Sequence, residues 1–332
     1  MKTETLRSIA QRTGYSMTTV SRVISGKSDR YRISSAAREK IMVEVRRCGY
    51  TPLSVAQHLR KTKTGLIGLL LPSVSNPFFA DMASVIITEL HKRHYTTIVM
   101  DTMEDDENFL DCLKSMVARQ VEGIIAVPCG SDGTMVEKVN EHTPVVLVDR
   151  FYENTSLSFV TTNNYQGSLD ATRYLIDSGH RRIACIQGAT SSMPNKERVK
   201  GYLDAMKAEG LSEHISLSGS EFSIRNGYLE TKLLLFGENP PTAIFALSNT
   251  ILLGALKAIR ESRLDIPGDI ALVTFDDNLY MDYMTPVISR ISQPVVDMAS
   301  LASKLLLDAL ESPSAGVTQL RLSPSLIKGE SV

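Results

Sequence analysis

From residue 65 onward, short apolar runs alternate with longer amphipathic segments, and this alternation strongly restricts the possible folds. The apolar runs, each of strand length, are 66–71, 96–100, 123–127, 145–148, 182–186, 243–247 and 270–275. The segments with helical spacing between them are 79–92, 107–119, 164–178, 195–209, 226–235 and 249–262. Strands that alternate with helices are typical of parallel sheets covered by helices on both faces. Because the two halves of this region look alike, we expect two α/β lobes with a cleft at the carboxyl ends of their strands.

The first 64 residues follow another pattern, which predicts three short helices and a linker. The predicted helices cover 6–13, 17–25 and 35–48. Residues suited to cap or end these helices are Thr5, Gly14, Ser16, Gly26, Ser34, Ser35 and Gly49. Apolar residues at helical spacing would form a small core of Ile9, Ala10, Val20, Val23, Ile24, Ile41 and Val45. Pro52 then interrupts the pattern, and the stretch up to Thr64 is a linker that is either helical or disordered.

Charge is distributed unevenly along the chain. The 332 residues carry a formal net charge of only -1. Residues 1–64 hold 14 Lys and Arg against 4 Asp and Glu, whereas the remainder holds 22 against 33. A small basic module joined to a large acidic body indicates an anionic partner for the module alone. Nucleic acid is the first candidate, because Lys and Arg gain affinity by releasing counterions from phosphates.

Several classes of protein are disfavoured by what the sequence lacks. The four cysteines are widely spaced, and we interpret Cys48, Cys112, Cys129 and Cys185 as reduced thiols rather than as disulfides or a metal site. The amino terminus has no apolar signal region, and no stretch approaches the ~18 apolar residues of a membrane span, so we expect a cytoplasmic protein. No phosphate-binding glycine loop, zinc-protease motif or nucleophile elbow is found. The sequence therefore predicts no catalytic residues, no metal ligands and no cofactor, and the chain is not expected to be an enzyme.

The chain resembles one known family in several segments that occur in the same order. TLRSIAQRTGYSMTTVSRVISG, at 5–26, is similar to the helix-turn-helix of the lactose repressor/galactose repressor family of bacterial transcriptional regulators. Further matching segments are GYTP at 49–52, AQHLR at 56–60, GLIGLLLPSVSNPFFA at 65–80, DR at 149–150, TFDD at 274–277 and ISQP at 291–294. The resemblance implies a three-helix DNA-binding headpiece, a hinge helix and an α/β two-lobed core like that of periplasmic binding proteins.

This resemblance also implies how the chain is divided and how it assembles. The implied parts are a headpiece at 1–51, a hinge helix or linker at 52–64, and an effector-binding and dimerisation core at 65–332. Within the core, the implied segments are about 65–161 and 293–321 for the N-lobe, and about 162–292 and 322–332 for the C-lobe. A homodimer would then place two headpieces on a palindromic operator in double-stranded DNA.

The second helix of the headpiece would lie in the major groove, with its amino-terminal residues at the base edges. Met17 and Thr18 occupy the two positions that the family uses to vary specificity. Arg22, one turn further, can donate two hydrogen bonds to guanine O6 and N7. Hydroxyl side chains suited to phosphate contacts, which position the protein without reading a sequence, are Thr5, Ser16, Thr19 and Ser21. A simple capping or surface role is the alternative for Thr19 and Ser21.

Two segments beyond the second helix extend this prediction. The family's hinge leucine inserts into the minor groove and kinks the duplex, and Leu59 matches it, with a packed linker residue as the alternative. The family usually has Asn where this chain has Leu53. The loop SDRYRIS, at 28–34, resembles the fructose-regulator branch of the family, and its Arg30 and Arg32 are either solvated or in contact with phosphates.

The resemblance also indicates which residues would bind the effector in the cleft. They are Asn76, Phe78, Asp149, Arg150, Arg198, Phe222, Asn249, Asp276 and Gln293. Asp276 ends an apolar run and is the best candidate for binding a hydroxyl group. Phe222 would stack on a ring, and the planar guanidinium of Arg198 suits vicinal hydroxyls or an anion.

The chemical class of the effector depends on the charge of this cleft. Arg150 either binds a carboxylate or phosphate, or pairs with Asp149. Asn163 and Thr250 stand where the family often has aspartate, which would leave fewer acids beside Arg198. These features favour a sugar acid or a sugar phosphate, with a neutral sugar as the remaining alternative. Phe79, next to Phe78, is expected to be part of the core.

The sequence therefore predicts a DNA-binding transcriptional regulator, most simply a repressor at the nucleoid, that is controlled allosterically by a sugar-derived effector. One alternative is a sugar-binding transport or chemoreceptor protein, which would explain two lobes but would need a signal peptide. Another is a small α/β sugar-processing enzyme, for which Asp276 and Asp277 could serve as a carboxylate pair. Neither alternative explains the basic residues 1–64.

Overall fold

The computed structural model describes residues 5–48, 64–312 and 316–332, and the chain divides into two units. The first unit lies within Met1–Thr64 and the second is Gly65–Val332. The predicted hinge, with Leu53 and Leu59, lies outside the described residues.

The first unit contains three helices whose starts are set by side-chain caps. They are α1 (Leu6–Thr13), α2 (Met17–Ile24) and α3 (Ser35–Arg47). The hydroxyls of Thr5, Ser16 and Ser34 each accept a hydrogen bond from the backbone N–H three residues later, as predicted. Gly14 ends α1 in a left-handed conformation with φ of 76°, which favours glycine. The predicted small core is confirmed, with Ile9, Ala10, Val20, Val23 and Ile41 buried and Ile24 and Val45 packed against them.

The second unit contains two lobes, each built on a six-stranded sheet. The strands of the first lobe are β1 (Leu66–Leu71), β2 (Thr96–Asp101), β3 (Gly123–Ala126), β4 (Val145–Val148), β5 (Ser158–Thr162) and β11 (Gln319–Leu322). Those of the second lobe are β6 (Ile183–Ile186), β7 (Ser216–Ser218), β8 (Ala243–Ala246), β9 (Ala271–Phe275), β10 (Ser289–Ser292) and β12 (Ser325–Ile327). The strand orders are β2-β1-β3-β4-β5-β11 and β7-β6-β8-β9-β10-β12, so the lobes share one topology. Neighbouring strands are parallel except β10 and β12.

Helices cover both faces of each sheet, as predicted for parallel strands. In the first lobe they are α4 (Pro77–Lys92), α5 (Asp106–Ala118), α6 (Thr134–Asn140) and α11 (Val295–Glu311). In the second lobe they are α7 (Asn164–Asp177), α8 (Met193–Ala208), α9 (Ile224–Leu235) and α10 (Asn249–Glu261). In β1, Leu69 and Leu71 face the core under α4 and α11, whereas Leu70 faces the core under α5. Burial on both faces explains why the strand sequences are continuously apolar.

The chain passes between the lobes after β5, β10 and β11. The seven apolar runs all form strands, whereas β5, β7, β10, β11 and β12 were not predicted. None of the helices in the described ranges is long and apolar enough to cross a membrane.

Two glycines allow α9 and α10 to pack backbone against backbone. A Cβ atom on Gly254 would lie 2.1 Å from the carbonyl oxygen of Ile224, and one on Gly227 would lie 2.1 Å from that of Ile251. Backbone atoms cannot rotate away as a side chain can, so the second lobe depends on the absence of side chains at these two positions.

We therefore expect Gly254→Ala to destabilise the protein by about 3 kcal/mol or more, because the helices must separate. An alanine in a helix would otherwise stabilise it by roughly 1 kcal/mol, so the sign itself tests the contact. Urea unfolding followed by circular dichroism measures the effect. Gly237→Ala is the control, because the nearest atom to its Cβ would be 3.5 Å away. Equal stability of the two variants would contradict the close approach.

Candidate functional site

The outer face of α2 presents the side chains that were predicted to read DNA bases. Val20 and Val23 face the small core, whereas Thr18 is exposed and Arg22 is half-buried on the other side of the helix. Met17 lies in the first turn of α2. Met17 is 53% exposed. An exposed helix face of this kind fits the dimensions of a major groove.

The hydroxyl groups at the start of α1 and α2 have structural partners. The Thr5 hydroxyl belongs to a capping box with Ser8. Ser16 Oγ accepts the Thr19 N–H at 3.1 Å and lies 2.9 Å from Thr19 Oγ1. Capping leaves room for a phosphate, because a hydroxyl has one donor and two acceptor lone pairs. The structure shows the capping role, and phosphate contact by Thr5, Ser16, Thr19 and Ser21 stays a prediction.

A cavity of about 490 Å³ lies between the two lobes. Its walls come from residues that follow strands, as expected for parallel sheets. The predicted residues that line it are Asn76, Phe78, Asp149, Arg150, Arg198, Phe222, Asp276 and Gln293. Its volume is within the range of small-molecule sites. The structure thus brings eight of the nine predicted effector residues to one cavity.

Asn249, the ninth residue, is buried beside the cavity and is not part of its lining. Its amide nitrogen donates to Asn278 Oδ1 at 2.8 Å within the second lobe. The same nitrogen donates to Asn76 Oδ1 of the first lobe at 3.0 Å. Asn249 therefore joins the lobes in this structure.

The guanidinium of Arg150 pairs with a carboxylate that the sequence did not indicate. Its Nη1 lies 2.6 Å from Glu104 Oε1, whereas its Nε lies 3.9 Å from Asp149 Oδ2. Arg150 also lies over the ring of Phe222, 5.5 Å from its centroid, and this contact crosses from one lobe to the other. Glu104 follows β2 and lines the cavity, so the strand-end rule that selected Asp149 could have selected it as well.

Arg198 is buried at the second-lobe side of the cavity. Its Nε donates to Asn164 Oδ1 at 2.8 Å, and its Nη1 donates to the Leu247 carbonyl at 2.7 Å. The guanidinium carbon, Cζ, lies over the ring of Phe275, 3.7 Å from the ring centroid. Asp276 Oδ1 is 3.9 Å from its Nη1 and supplies an opposite charge.

The neighbouring carboxylates Asp276 and Asp277 have different surroundings. Asp276 accepts hydrogen bonds from the Asn249 backbone N–H at 3.2 Å and from Gln293 Nε2 at 2.6 Å. Asp277 instead pairs with Arg290 at 2.5 Å and lies outside the cavity lining. The two carboxylates therefore do not form a pair for acid–base chemistry.

Asp149 is fully enclosed and has an unsatisfied acceptor. Its Oδ1 has no hydrogen-bond partner among the described residues. Burial raises the pKa of Asp149 to about 6, although the nearby guanidiniums of Arg150 and Arg198 oppose this shift. Near neutral pH, this carboxyl group is thus poised to exchange a proton or to accept a hydrogen bond from a ligand.

Of the two positions where the family often has aspartate, only Thr250 lies at the cavity. Asn163 caps α7 by accepting the Gln166 N–H, and it does not line the cavity. Thr250 does line the cavity, with its hydroxyl 2.9 Å from that of Ser248. Phe79 packs in the core as expected, yet its ring also reaches the cavity.

A further link between the lobes lies away from the cavity. Arg321 on β11 pairs with Glu197 on α8 at 2.5 Å. Arg321 also lies over the ring of Phe151, 4.9 Å from its centroid. The lobes are thus joined by contacts at the cavity, Asn249–Asn76 and Arg150–Phe222, and by this ion pair outside it.

A helix-turn-helix unit and a two-lobed core with a ligand-sized cleft together define a DNA-binding transcriptional regulator. Residues 5–53 match the family model of bacterial regulatory proteins of the lacI family, and residues 172–332 match that of a periplasmic binding protein-like domain. The ribose operon repressor of Haemophilus influenzae is 32% identical over 331 residues, which are 99% of this chain and 98% of that protein. The chain belongs to the lacI family.

Solved structures share this architecture. The lac repressor dimer bound to operator and the anti-inducer ONPF superposes with a TM-score of 0.86 at 24% identity, over 99% of both chains, and supports the fold. A lacI-family regulator from Enterococcus faecium with bound ribose gives a TM-score of 0.73 at 25% identity, over 80% of this chain and 98% of that one.

The raised pKa of Asp149 predicts a pH-dependent stability. Below the unfolded pKa of 3.8 both states are protonated, and between about pH 4 and 6 only the folded state keeps the proton. Stability should therefore fall as pH rises through this window, by up to about 3 kcal/mol relative to Asp149→Asn. Thermal unfolding of both proteins between pH 4 and 7 tests this. Asp308→Asn, at an exposed position of α11, is the control for the substitution itself. A difference in stability between wild type and Asp149→Asn that stays constant from pH 4 to 7 would contradict the shift.

Proposed function

We propose that this protein is a transcriptional repressor whose affinity for operator DNA is controlled by a neutral sugar in the interlobe cavity. The observation that carries this proposal is that both guanidiniums of the cavity already have carboxylate neighbours. Arg150 is paired with Glu104, and Arg198 lies beside Asp276.

The charges of the lining favour a neutral ligand over an anionic one. Four carboxylates, Asp101, Glu104, Asp149 and Asp276, line the cavity with only two guanidiniums. An anionic ligand would have to displace one of these carboxylates or lie unpaired beside them, and burying an unpaired charge is costly. Among the three classes of effector expected from the sequence, the neutral sugar therefore fits best.

Unsatisfied acceptors in the wall support a ligand with hydroxyl groups. Asp149 Oδ1 and Gln293 Oε1 are buried and have no partner among the described residues. A sugar hydroxyl can donate to either of them, whereas a carboxylate or a phosphate dianion has only acceptors. Phe222 offers an apolar face to the ring of the sugar. The names of two related proteins, a ribose operon repressor and a regulator with bound ribose, agree with a ligand of this kind.

The protein is proposed to act as a homodimer on a palindromic operator. Leu229, Leu233 and Phe236 follow one face of α9 and are 45%, 68% and 81% exposed. Apolar faces of this kind mark interaction surfaces. The lac repressor, which shares this fold, is a dimer on its operator. The domain limits and the DNA-contacting residues implied by the resemblance, including Leu59, belong to this proposal.

Control by the effector would act on the equilibrium between lobe arrangements. A ligand that displaces the Asn249–Asn76 hydrogen bond or fills the space beside Arg150 and Phe222 binds one arrangement better than another. The resulting coupling is reciprocal, so operator DNA must change the effector affinity by the same factor.

The proposal of a neutral effector is tested by ligand-induced thermal stabilisation of the full chain. We expect aldopentoses or aldohexoses to stabilise the wild-type protein, by about 2.7 kcal/mol at 100 times the Kd. The corresponding aldonic acids and sugar phosphates should have a much smaller effect. Stronger stabilisation by the anionic forms would contradict the proposal.

Glu104→Gln sharpens this test, because it releases Arg150 from its ion pair. The variant should gain affinity for aldonic acids by about tenfold or more, which corresponds to ~1.4 kcal/mol. Asp111→Asn is the matched control, because Asp111 forms an exposed pair with Lys114 on α5. An unchanged preference in Glu104→Gln would show that the Glu104–Arg150 pair does not select the ligand.

The proposed role of Arg22 predicts a loss confined to specific DNA. Arg22→Ala should weaken binding to an operator selected from random DNA by roughly 1–3 kcal/mol and relax discrimination at one base pair. Fluorescence anisotropy at fixed salt measures both affinities. Arg46→Ala, on the exposed surface of α3, should affect specific and non-specific DNA alike. If Arg22→Ala lowers the affinity for specific and non-specific DNA equally, Arg22 contacts only phosphate.

A further inference from the structure

We propose that Tyr31, in the loop between α2 and α3, is a specificity-determining residue that positions the Arg22 guanidinium for base recognition. This inference rests on the proposed contact between Arg22 and a base, and it assigns to Tyr31 the task of holding that side chain before DNA is bound.

The two side chains are stacked. Arg22 Cζ lies 3.8 Å from the centroid of the Tyr31 ring, which is direct contact between two planar groups. In the same unit, the Lys40 ammonium is 5.8 Å from the Tyr15 ring, a much looser approach. Tyr31 is 43% exposed and does not belong to the small core. Its ring is therefore available to Arg22 instead of being required for the packing of the helices.

The backbone of the loop holds Tyr31 in place relative to α2. The Lys27 N–H donates to the Arg22 carbonyl at 2.9 Å, and the Tyr31 N–H donates to the Lys27 carbonyl at 3.3 Å. On the other side, the Ile33 N–H donates to the Ser28 carbonyl at 3.0 Å, and Ile33 packs against the small core. The loop is thus fixed by backbone hydrogen bonds at both ends. Two of these bonds, through Lys27, connect the backbone of Arg22 to that of Tyr31.

Stacking leaves the hydrogen-bonding edge of Arg22 free. The contact uses the face of the guanidinium, while the N–H donors point outward in the plane of the group. Within residues 5–48, no side-chain or backbone acceptor is hydrogen-bonded to the Arg22 guanidinium. A free arginine side chain would lose rotamer entropy on binding a base, and prior stacking reduces that loss.

The experiment uses the full chain, an operator selected from random DNA by the wild-type protein, and a scrambled duplex. Affinities are measured at fixed salt for Tyr31→Leu, Tyr31→Phe, Arg22→Ala and the double variant Arg22→Ala/Tyr31→Leu. Each guanine of the operator is also replaced by 7-deazaguanine, which lacks the N7 acceptor. Circular dichroism confirms that each variant keeps its helices.

We expect Tyr31→Leu to weaken operator binding roughly 3- to 30-fold, the range of a stacked cation–aromatic contact, without changing affinity for the scrambled duplex. Tyr31→Phe should retain wild-type affinity, because it keeps the ring. The 7-deazaguanine penalty at one position should disappear in Arg22→Ala and shrink in Tyr31→Leu. In the Arg22→Ala background, Tyr31→Leu should have no further effect.

Four outcomes would overturn the inference. Wild-type affinity in Tyr31→Leu would show that stacking is not needed. Equal losses in Tyr31→Phe and Tyr31→Leu would assign the effect to a DNA contact by the hydroxyl. Additive losses in the double variant would show that the two residues act separately. If instead Arg22→Ala leaves every 7-deazaguanine penalty unchanged, the proposed role of Arg22 itself fails, and the inference fails with it.

Discussion

The arrangement of the cleft depends on the contacts that the buried guanidinium of Arg198 makes with its surroundings. Arginine stays charged at any pH a folded protein meets, so burial requires partners for its N–H groups and its charge. Those partners are Asn164 at the start of α7, the Leu247 carbonyl after β8 and the ring of Phe275 at the end of β9. One side chain therefore fixes three elements of the second lobe around the cavity. It also explains why carboxylates are concentrated here, since without Asp276 the charge of Arg198 would be uncompensated.

The links between the lobes differ in whether a ligand can reach them. The Arg321–Glu197 pair lies away from the cavity and stacks on Phe151, so a ligand leaves it intact. The contact of Arg150 with the Phe222 ring is part of the cavity wall. A ligand in the cavity would replace the second kind of contact while the first still joins the lobes. Because one contact is replaced and the other is kept, we expect a ligand to change the angle between the lobes rather than to separate the lobes.

The elements that sequence could predict are those determined by local chemistry. The caps of α1 and α2 depend on residues three positions apart in the sequence. The buried strands are predicted by their continuous apolar runs. The strand β10, SRIS, contains Arg290 and two serines, so no apolar run indicates it. The following α11 was also not predicted, although its buried residues, such as Met298 and Leu306, recur at helical spacing. The Glu104–Arg150 pair joins loops after two strands that are not neighbours, β2 and β4. Sequence adjacency favoured Asp149 as the partner of Arg150, whereas tertiary geometry brings Glu104 closer.

Asn76 shows how events in the cavity can reach the first lobe. Its Oδ1 accepts the Phe78 N–H at 3.1 Å, which caps α4, and the same atom accepts the Asn249 amide of the second lobe. Asn249 in turn holds Asp276 through its backbone N–H, so one chain of hydrogen bonds runs from a cavity carboxylate to the start of a first-lobe helix. A ligand that moves Asp276 or replaces Asn249 at Asn76 changes the hydrogen bonds of the residue that caps α4. Since caps contribute about 1 kcal/mol, a single hydroxyl group could bias α4 by an amount comparable to typical coupling energies between sites.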